Sequence, residues 1–277
     1  MTQEKSRYWD TVAKTWQEAS PQTLWRAYND AVNTALFGHW LPNHKVDFLL
    51  KTDLFDESLG KGLYPLLELH ATRVIGMDIS VLTSRSAKSR HPGLAVVGGD
   101  VRRLPFADGV FDIIVSNSTL DHFESSDEII DSLGELLRVL KPGGQLLLTL
   151  DNLVNPVIAL RSVLPFRLLN RLKIVPYFVG TTLGPNRLRD HLECLGLMVM
   201  DVSAVMHFPR ILAMAMSRVL EGHSGLKVQE GFLNLLMSFE RLSRWPTRFL
   251  TGYFVAVRAI KKKFAGSSFD LPGEKIG

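Results

Sequence analysis

The feature that most constrains the fold is an alternation of short apolar runs with segments of helical spacing between residues 45 and 152. The apolar runs are Val46–Leu50, Arg73–Met77, Leu94–Val97, Phe111–Val115 and Gln145–Leu150. Near-continuous apolar strands separated by helices are typical of a parallel sheet that is covered on both faces. The alternation therefore predicts a doubly wound α/β fold, in which ligands bind at the carboxyl ends of the strands.

Helical patterns flank this alternating core on both sides. Apolar residues recur at three- and four-residue spacing before Pro42, and again in two long stretches after Asp151. Further strands are predicted at Leu197–Val202 and Thr251–Ala259. The predicted divisions are N-terminal helices over 1–44, the core of the α/β domain over 45–152, the rest of that domain with helical insertions over 153–260, and a flexible tail over 261–277.

Composition excludes several classes of protein. With 46% hydrophobic and 22% charged residues, the chain can bury a sizeable core. The longest stretch without a charged residue, 31–44, has 14 residues, whereas a membrane-spanning helix needs about 20. The first ten residues lack the apolar core of a secretory signal, and the single Cys194 excludes an internal disulfide. We therefore expect a cytoplasmic protein, although its mean hydropathy of +0.08 is high for one.

Two further kinds of partner are not expected. The eight histidines are scattered without the spacing of metal ligands, so no metal site is predicted. Aromatic residues do not alternate with basic ones, and the net charge is only +4, so we predict no nucleic-acid binding.

Acidic residues follow two of the predicted strands. Asp78 ends the second strand, where a carboxylate can accept from both hydroxyls of a ribose, although it could instead cap the next helix. Asp100 and Val101 follow the third strand, where a carboxylate can accept from an exocyclic amine while an apolar side chain packs on the ring. Taken alone, Gly99-Asp100 is more often a simple turn. Together these residues favour a nucleoside-containing ligand.

Four segments together resemble the class I S-adenosylmethionine-dependent methyltransferases. They read VIGMDIS (74–80), GDVRRLPF (99–106), FDIIVSNSTLDHF (111–123) and LKPGGQLLL (140–148). The resemblance covers residues 45–150 and the last strand. It implies a Rossmann-like, mostly parallel seven-stranded sheet with helical insertions after the fifth and sixth strands. It also implies S-adenosylmethionine as cofactor and methyl transfer to a small-molecule acceptor, which the apolar insertions suggest is itself fairly apolar. The cofactor contacts expected on this basis are Asp53, Asp56, Gly60, Gly62, Asp78, Ile79, Asp100, Val101, Asn117 and Ser118.

The glycine-rich loop is where this chain departs from that family. Residues 50–62 read LKTDLFDESLGKG, so that only Gly60 and Gly62 remain of the usual glycines. The carboxylates of Asp53, Asp56 and Glu57 are candidates to bind the α-ammonium group of the cofactor. The alternative is a solvated acidic turn with a lost site. A dinucleotide is disfavoured because no third glycine follows and the acids would repel a pyrophosphate.

The acceptor side of the site is less specified by sequence. Asp121 and His122 are candidates for a general base, and a buried hydrogen-bonded histidine is the alternative. Asp151, Asn152 and His207 follow later strands and are candidates to bind the acceptor.

Leucines recur every four residues from Leu160 to Leu172 among arginines. They suit an acceptor lid, an interfacial helix against anionic lipid, or ordinary core packing. The rival function is a non-catalytic, methyltransferase-like binding module with peripheral membrane contact. The acceptor, the methylated atom and the oligomeric state stay open.

Overall fold

The computed structural model describes residues 2–18, 23–171, 175 and 177–263, and it confirms the predicted doubly wound α/β fold. Two helices precede the sheet, α1 (Thr2–Glu18) and α2 (Thr23–Trp40). Helix α2 buries Tyr28, Val32 and Phe37, and it ends two residues before Pro42. The N-terminal region is therefore helical, as its apolar spacing predicts.

The alternating core contains five strands and the helices between them. In chain order these are β1 (Val46–Thr52), α3 (Phe55–Leu59), α4 (Tyr64–His70), β2 (Ala71–Asp78), α5 (Val81–Arg90), β3 (Ala95–Gly98), β4 (Phe111–Asn117), α6 (Ser126–Val139) and β5 (Leu140–Asp151). Each predicted apolar run overlaps one of these strands.

The C-terminal part places helices after the fifth and sixth strands. Its elements are α7 (Pro156–Val163), α8 (Phe166–Arg171), α9 (Pro185–Cys194), β6 (Leu197–Val205), α10 (Arg210–His223), α11 (Leu226–Ser238), α12 (Arg248–Thr251) and β7 (Phe254–Lys261). A 3₁₀ turn over Phe239–Arg244 joins α11 to α12. None of the helices in the described ranges is long and apolar enough to cross a bilayer.

The seven strands form one sheet in the order β3-β2-β1-β4-β5-β7-β6. Strands β1 to β5 are parallel, and β7 pairs antiparallel with both β5 and β6. The strand order reverses between β1 and β4, where Thr52 pairs with Ser116. Ligand sites of doubly wound sheets form at such a reversal, outside the carboxyl ends of the strands.

Alternate residues of the central strands are buried on opposite faces of the sheet. On one face Leu50 and Ile114 join a core with Leu133 of α6, and on the other Leu49 and Ile113 join a core that includes α2 and α4. A third cluster packs Tyr28 of α2 against Phe232 of α11. Burial on both faces explains why the strand sequences are continuous apolar runs rather than alternating ones.

Three predicted boundaries differ from the structure. The last strand is predicted from Thr251, but Thr251 ends α12 and β7 begins at Phe254. The fifth strand is predicted from Gln145, but β5 already pairs with β4 from Leu140, and the register shifts before Gln145. Gly143 has φ +81° at this irregularity, a conformation that glycine adopts without strain. The flexible tail is predicted from Lys261, but Lys261 belongs to β7, and its ammonium donates to the carbonyl oxygens of Leu137 and Leu140. Residues 264–277 lie outside the described ranges.

Candidate active site

A cavity lies at the carboxyl ends of β1, β2 and β4, where the strand order reverses. Strand ends supply one wall, and the N-terminal helices α1 and α2 supply the opposite wall. The residues from the strand ends are Thr52, Asp53, Met77, Asp78, Asn117, Ser118 and Asp151, and those from the two helices include Trp9, Val12, Trp16, Trp25 and Asn29. The helices before the core therefore take part in the site.

One end of the cavity is acidic. The Asp78 carboxylate accepts from the Leu54 and Ser80 amides, each at 2.8 Å. Ser80, rather than Asp78, caps α5, because its hydroxyl accepts from the Thr83 amide. Asp53 has φ +70°, and its side chain accepts from the Phe55 amide. Asp78 is therefore not required as a helix cap, and its carboxylate lines the cavity beside Asp53.

Burial and mutual repulsion raise the pKa of these carboxyls. Burial and then Asp78 raise the pKa of Asp53 well above its usual value. Burial is also the main cause that raises the pKa of Asp78 to about 6. The pKa of Asp56 is raised by burial and then by Glu57. Because crowded carboxylates are relieved by a cation, this donor set fits a positively charged ligand such as the ammonium group and sulfonium of S-adenosylmethionine.

A buried ion pair that was not predicted from the sequence lies next to the acidic end of the cavity. Lys51 and Glu57 are both buried, with 2.9 Å between Nζ and Oε2. The Lys51 ammonium also donates to the Asp53 carbonyl oxygen, and Glu57 Oε1 accepts from the Leu63 amide at 2.8 Å. The pair thus fixes both sides of the segment between β1 and α4. No sequence signal beyond Lys51 in an apolar strand points to it.

The predicted roles of Gly60 and Gly62 are corrected by the structure. Neither glycine is among the residues that line the cavity, and the short helix α3 separates both of them from the end of β1. Gly62 has φ +54°, and a Cβ atom there would lie 2.5 Å from Glu57 Oε1. Gly62 is therefore required for packing against the buried ion pair rather than for contact with a ligand.

The other predicted cofactor residues surround a second part of the cavity. Ile79, Asp100 and Val101 all line it. The Asp100 carboxylate is held by the Arg102 guanidinium, with 2.9 Å between Nε and Oδ1. Burial raises the pKa of Asp100, but hydrogen bonds from Arg102 lower it further, so that the pKa lies below its usual value. Asp100 is therefore ionised at neutral pH. That its carboxylate accepts a hydrogen bond from an adenine amine stays a prediction.

The end of β4 lies between the part of the cavity that Asp100 lines and the part that Asp121 lines. Asn117 and Ser118 line the cavity, and Asn117 Oδ1 accepts from the Thr149 hydroxyl at 2.6 Å. Ser118 has φ +50°, and its amide donates to the Thr149 hydroxyl oxygen. The side chain of Thr149 in β5 thus sets the geometry of this strand end.

At the opposite end of the cavity the Asp121 carboxyl is buried. Its side chain is 3% exposed, and Oδ1 has no hydrogen-bond partner among the described residues. Burial and then Asp151 raise the pKa of Asp121 to about 6. His122 Nε2 lies 3.8 Å from Oδ1, too far for a hydrogen bond, while Nδ1 lies 3.1 Å from the Phe178 carbonyl oxygen. The two residues therefore do not form a dyad in this structure.

Comparison with known proteins identifies the core of the chain. Residues 58–148 match a family model described as a methyltransferase domain. The chain carries a methyltransferase domain. The predicted resemblance to class I S-adenosylmethionine-dependent methyltransferases is confirmed, and with it S-adenosylmethionine as the cofactor of this domain.

Sequence relatives match the methyltransferase domain over short segments. The chain is 41% identical over 73 residues to a demethylmenaquinone methyltransferase of Beutenbergia cavernae, covering 26% of this chain and 29% of that protein. It is 35% identical over 95 residues to phthiotriol/phenolphthiotriol dimycocerosates methyltransferase 1 of Mycobacterium ulcerans, covering 32% and 33%. The matches thus span about a third of the length of these curated relatives.

Solved structures share the fold over most of the chain. An S-adenosylmethionine-dependent methyltransferase of Mesorhizobium loti superposes with a TM-score of 0.57 at 15% identity, covering 84% of this chain and all of that one. A geranyl diphosphate C-methyltransferase of Streptomyces coelicolor superposes with a TM-score of 0.52 at 13% identity, covering 83% and 77%. At such low identity these likenesses establish the fold of the methyltransferase domain alone.

Two residues predicted to bind the acceptor lie outside the cavity. Asn152 is fully buried, and its amide donates to the carbonyl oxygens of Phe249 and Gly252. The His207 ring bonds to Thr251 Oγ1 and the Ala204 carbonyl oxygen, and burial lowers its pKa. Both side chains join α12 to the sheet, so the structure assigns them packing roles. A position just after a strand is compatible with binding a ligand and with packing, so the sequence alone did not distinguish the two roles.

Two arginines that were not predicted as site residues line the cavity beside Asp151 and Tyr253. Arg161 Nη2 donates to Asp151 Oδ2 at 2.5 Å, and Nη1 donates to the Tyr253 hydroxyl at 3.1 Å. Arg210 lies over the Tyr253 ring, 5.0 Å from its centroid, and both arginines line the cavity. Arg161 is thus a cavity residue rather than a solvated one. Its place in an apolar helix that lacks acids was the available signal.

Proposed function

We propose that this protein is an S-adenosylmethionine-dependent methyltransferase that methylates a hydroxyl or amine on a small, largely apolar acceptor. The observation that carries the proposal is the division of one cavity into two chemically different ends. Crowded carboxylates of Asp53 and Asp78 lie at one end. The buried carboxylate of Asp121, whose Oδ1 has no hydrogen-bond partner among the described residues, lies at the other. The first end suits a cationic cofactor, and the second suits a group that must lose a proton.

The cofactor contacts are proposed from the residues that line the first end. Asp78 would accept from the ribose hydroxyls, and Asp53 with Asp56 would bind the ammonium group. Ile79 and Val101 would pack on the adenine, with Asp100 beside its amine. The bound cofactor supplies a methyl group that its sulfonium has already activated. The protein therefore contributes alignment and water exclusion, which together account for much of such a rate enhancement.

The acceptor contacts are proposed from the opposite end. Trp9, Tyr177 and Phe254 give it an aromatic lining, which suits an apolar or aromatic acceptor. Asp121 would take the proton of the acceptor as the methyl group is transferred. Its raised pKa suits a general base because the carboxyl is ionised at neutral pH yet binds a proton readily. Arg161 and Arg210 would favour negative charge that develops on an acceptor oxygen.

The proposal predicts that methyl transfer depends on Asp121. S-adenosylmethionine with a labelled methyl group is incubated with the protein and an apolar extract of the producing cells, and label in the organic phase is measured. We expect Asp121→Asn to lower the transfer rate by about 10²- to 10⁴-fold, because the base is lost. The wild-type rate should rise with pH through about 6, as Asp121 loses its proton, and then level off.

Controls separate this proposal from the rival one. Asp47→Asn, an exposed change at the far end of β1, should leave the transfer rate unchanged. The rival is the non-catalytic binding module, which is favoured by the ion pair of Lys51 and Glu57 in place of a glycine-rich loop. Cofactor binding without transfer of label to any extract would support that rival and contradict the enzyme.

A further inference from the structure

The leucine row of α7 and α8 faces outward. Leu160 is 61% exposed, and Leu164 and Leu168 are also exposed, as are Val157 and Val163 on the same segment. Core packing is therefore excluded for these leucines. An acceptor lid is disfavoured too, since none of the five side chains lines the cavity.

A second set of outward apolar side chains lies on the helices after β6. Helix α10 exposes Ile211, Leu212 and Val219, and α11 exposes Leu226 and Val228. Of the 19 exposed large apolar side chains in the described ranges, 14 fall within 154–168 and 211–250, whereas three fall before residue 150. The surface apolarity of this protein is thus concentrated on its two helical segments.

Contacts at Tyr253 bring these two segments together. The Asn155 amide, at the start of α7, donates to the carbonyl oxygens of Thr251 and Gly252 at the end of α12. Arg161 of α7 donates to the Tyr253 hydroxyl, and Arg210 at the start of α10 covers the Tyr253 ring. Both apolar segments therefore begin beside the acceptor end of the cavity.

The same two segments carry the positive charge of the chain. Residues 152–189 have a net charge of +6 with no acid, and residues 210–250 have a net charge of +3. Because the whole chain has a net charge of +4, the remainder is net negative. Arg167, Arg171 and Arg218 are exposed among the apolar side chains. This composition repels a second copy of the same face and attracts an anionic surface.

We propose that the outer faces of α7, α8, α10 and α11 form a docking surface for an anionic lipid bilayer. Apolar side chains would enter the boundary between headgroups and acyl chains, while the arginines contact lipid phosphates. The absence of a spanning helix among the described residues fits a peripheral contact rather than an integral one. This inference concerns a surface and holds whether or not the proposed catalysis occurs.

Cosedimentation with lipid vesicles tests the docking surface directly. Vesicles of phosphatidylcholine alone are compared with equal mixtures of phosphatidylcholine and phosphatidylglycerol, at low and at high salt. We expect the wild-type protein to sediment with the mixed vesicles at low salt and to be released by high salt. The double variant Leu160→Asp/Leu164→Asp should bind at least about tenfold more weakly, because apolar contact is lost and two negative charges then face the anionic lipid.

Matched variants make the result specific. Leu69→Asp changes a leucine that is 64% exposed on α4, in the cofactor-binding part, and it should sediment like the wild-type protein. Arg167→Glu/Arg171→Glu should weaken binding without altering the thermal melting curve. Failure of the wild-type protein to sediment with mixed vesicles at low salt would overturn the proposal. A wild-type dimer that Leu160→Asp/Leu164→Asp dissociates would also overturn it, since a second copy would then cover the face.

Discussion

At the scale of single residues, Asp121 is the most informative side chain in the structure. Burial costs a carboxylate its hydration, and Asp121 Oδ1 has no hydrogen bond among the described residues to replace it. Evolution toward stability alone would favour a neutral residue at this position. A buried carboxyl that lines a cavity and has one oxygen without a hydrogen bond is instead typical of a functional site.

The pKa of Asp121 makes a prediction about stability. Its folded pKa of about 6 lies above the usual 3.8, so the folded chain holds this proton more tightly than the unfolded chain does. The free energy of unfolding therefore loses this contribution as the pH rises through about 6. Asp121→Asn removes the ionisation, so we expect the variant to be more stable than wild type at pH values near 8, by about 3 kcal/mol, and nearly equal to it near 4.

Urea unfolding of both proteins across that pH range measures this difference. Asp47→Asn, which changes an exposed carboxylate, should show no such dependence of the difference on pH. A stability difference between wild type and Asp121→Asn that is the same at both ends of the range would contradict the assigned ionisation.

At the scale of elements, buried side chains hold the segment between β1 and α4 in place of a glycine-rich loop. The buried ion pair of Lys51 and Glu57 holds the Asp53 carbonyl oxygen and the Leu63 amide, one on each side of α3. Gly62 leaves the space that Glu57 occupies. Side chains therefore fix this segment, in which only Gly60 and Gly62 remain of the usual glycines.

Loss of Lys51 should therefore be costly. Lys51→Met leaves Glu57 buried without its cation, and we expect the free energy of unfolding to fall by about 3–5 kcal/mol. The double variant Lys51→Met/Glu57→Gln should recover most of that loss, because no charge then remains to be buried. Lys14→Met breaks an exposed pair with Glu18, 3.9 Å long, and should change stability by less than about 0.5 kcal/mol.

Chemical denaturation of the four proteins completes this comparison. If Lys51→Met were as mild as Lys14→Met, the ion pair would not be what fixes the segment. If the double variant were as unstable as the single one, the loss would come from packing rather than from the unpaired charge.

The sequence predicted elements and strand-end carboxylates better than it predicted contacts between distant segments. Asp53, Asp78 and Asn117 could be named because each follows an apolar run whose direction fixes its edge of the sheet. The Lys51 pair, Arg161 and Arg210 could not, since their partners depend on how helices pack across the sheet. Asn152 and His207 also follow strands, but helix α12 covers them. No local sequence pattern indicates that this helix packs there.

At the scale of the whole molecule, helix α1 closes the cavity over the sheet. Asp10 Oδ1 accepts from the Ser80 hydroxyl at 2.6 Å and from the Leu82 amide at 3.0 Å, and the Trp9 ring lies 4.8 Å from His122. Helix α1 thus contacts both the cofactor side and the acceptor side. Such a cover excludes water from the reacting groups.

Anchoring of α1 should therefore affect cofactor affinity. Asp10→Ala removes two hydrogen bonds to a carboxylate, and we expect the Kd for S-adenosylhomocysteine to rise by about tenfold as the cover loosens. Amide exchange in α1 should become faster in the same variant. Glu4→Ala, an exposed change on the same helix, serves as the control and should alter neither quantity. Faster exchange with unchanged affinity would mean that α1 is not part of the cofactor site.

Calorimetric titration with S-adenosylhomocysteine tests most directly whether the altered loop still forms a cofactor site. We expect the wild-type chain to bind S-adenosylhomocysteine at one site. For Asp78→Asn we expect a Kd at least about tenfold higher, because charge-assisted hydrogen bonds to the ribose are lost, and for Asp47→Asn an unchanged Kd. Melting curves of the variants establish that they are folded. Absence of binding to the folded wild-type protein at millimolar ligand, or equal affinity for Asp78→Asn, would contradict the account.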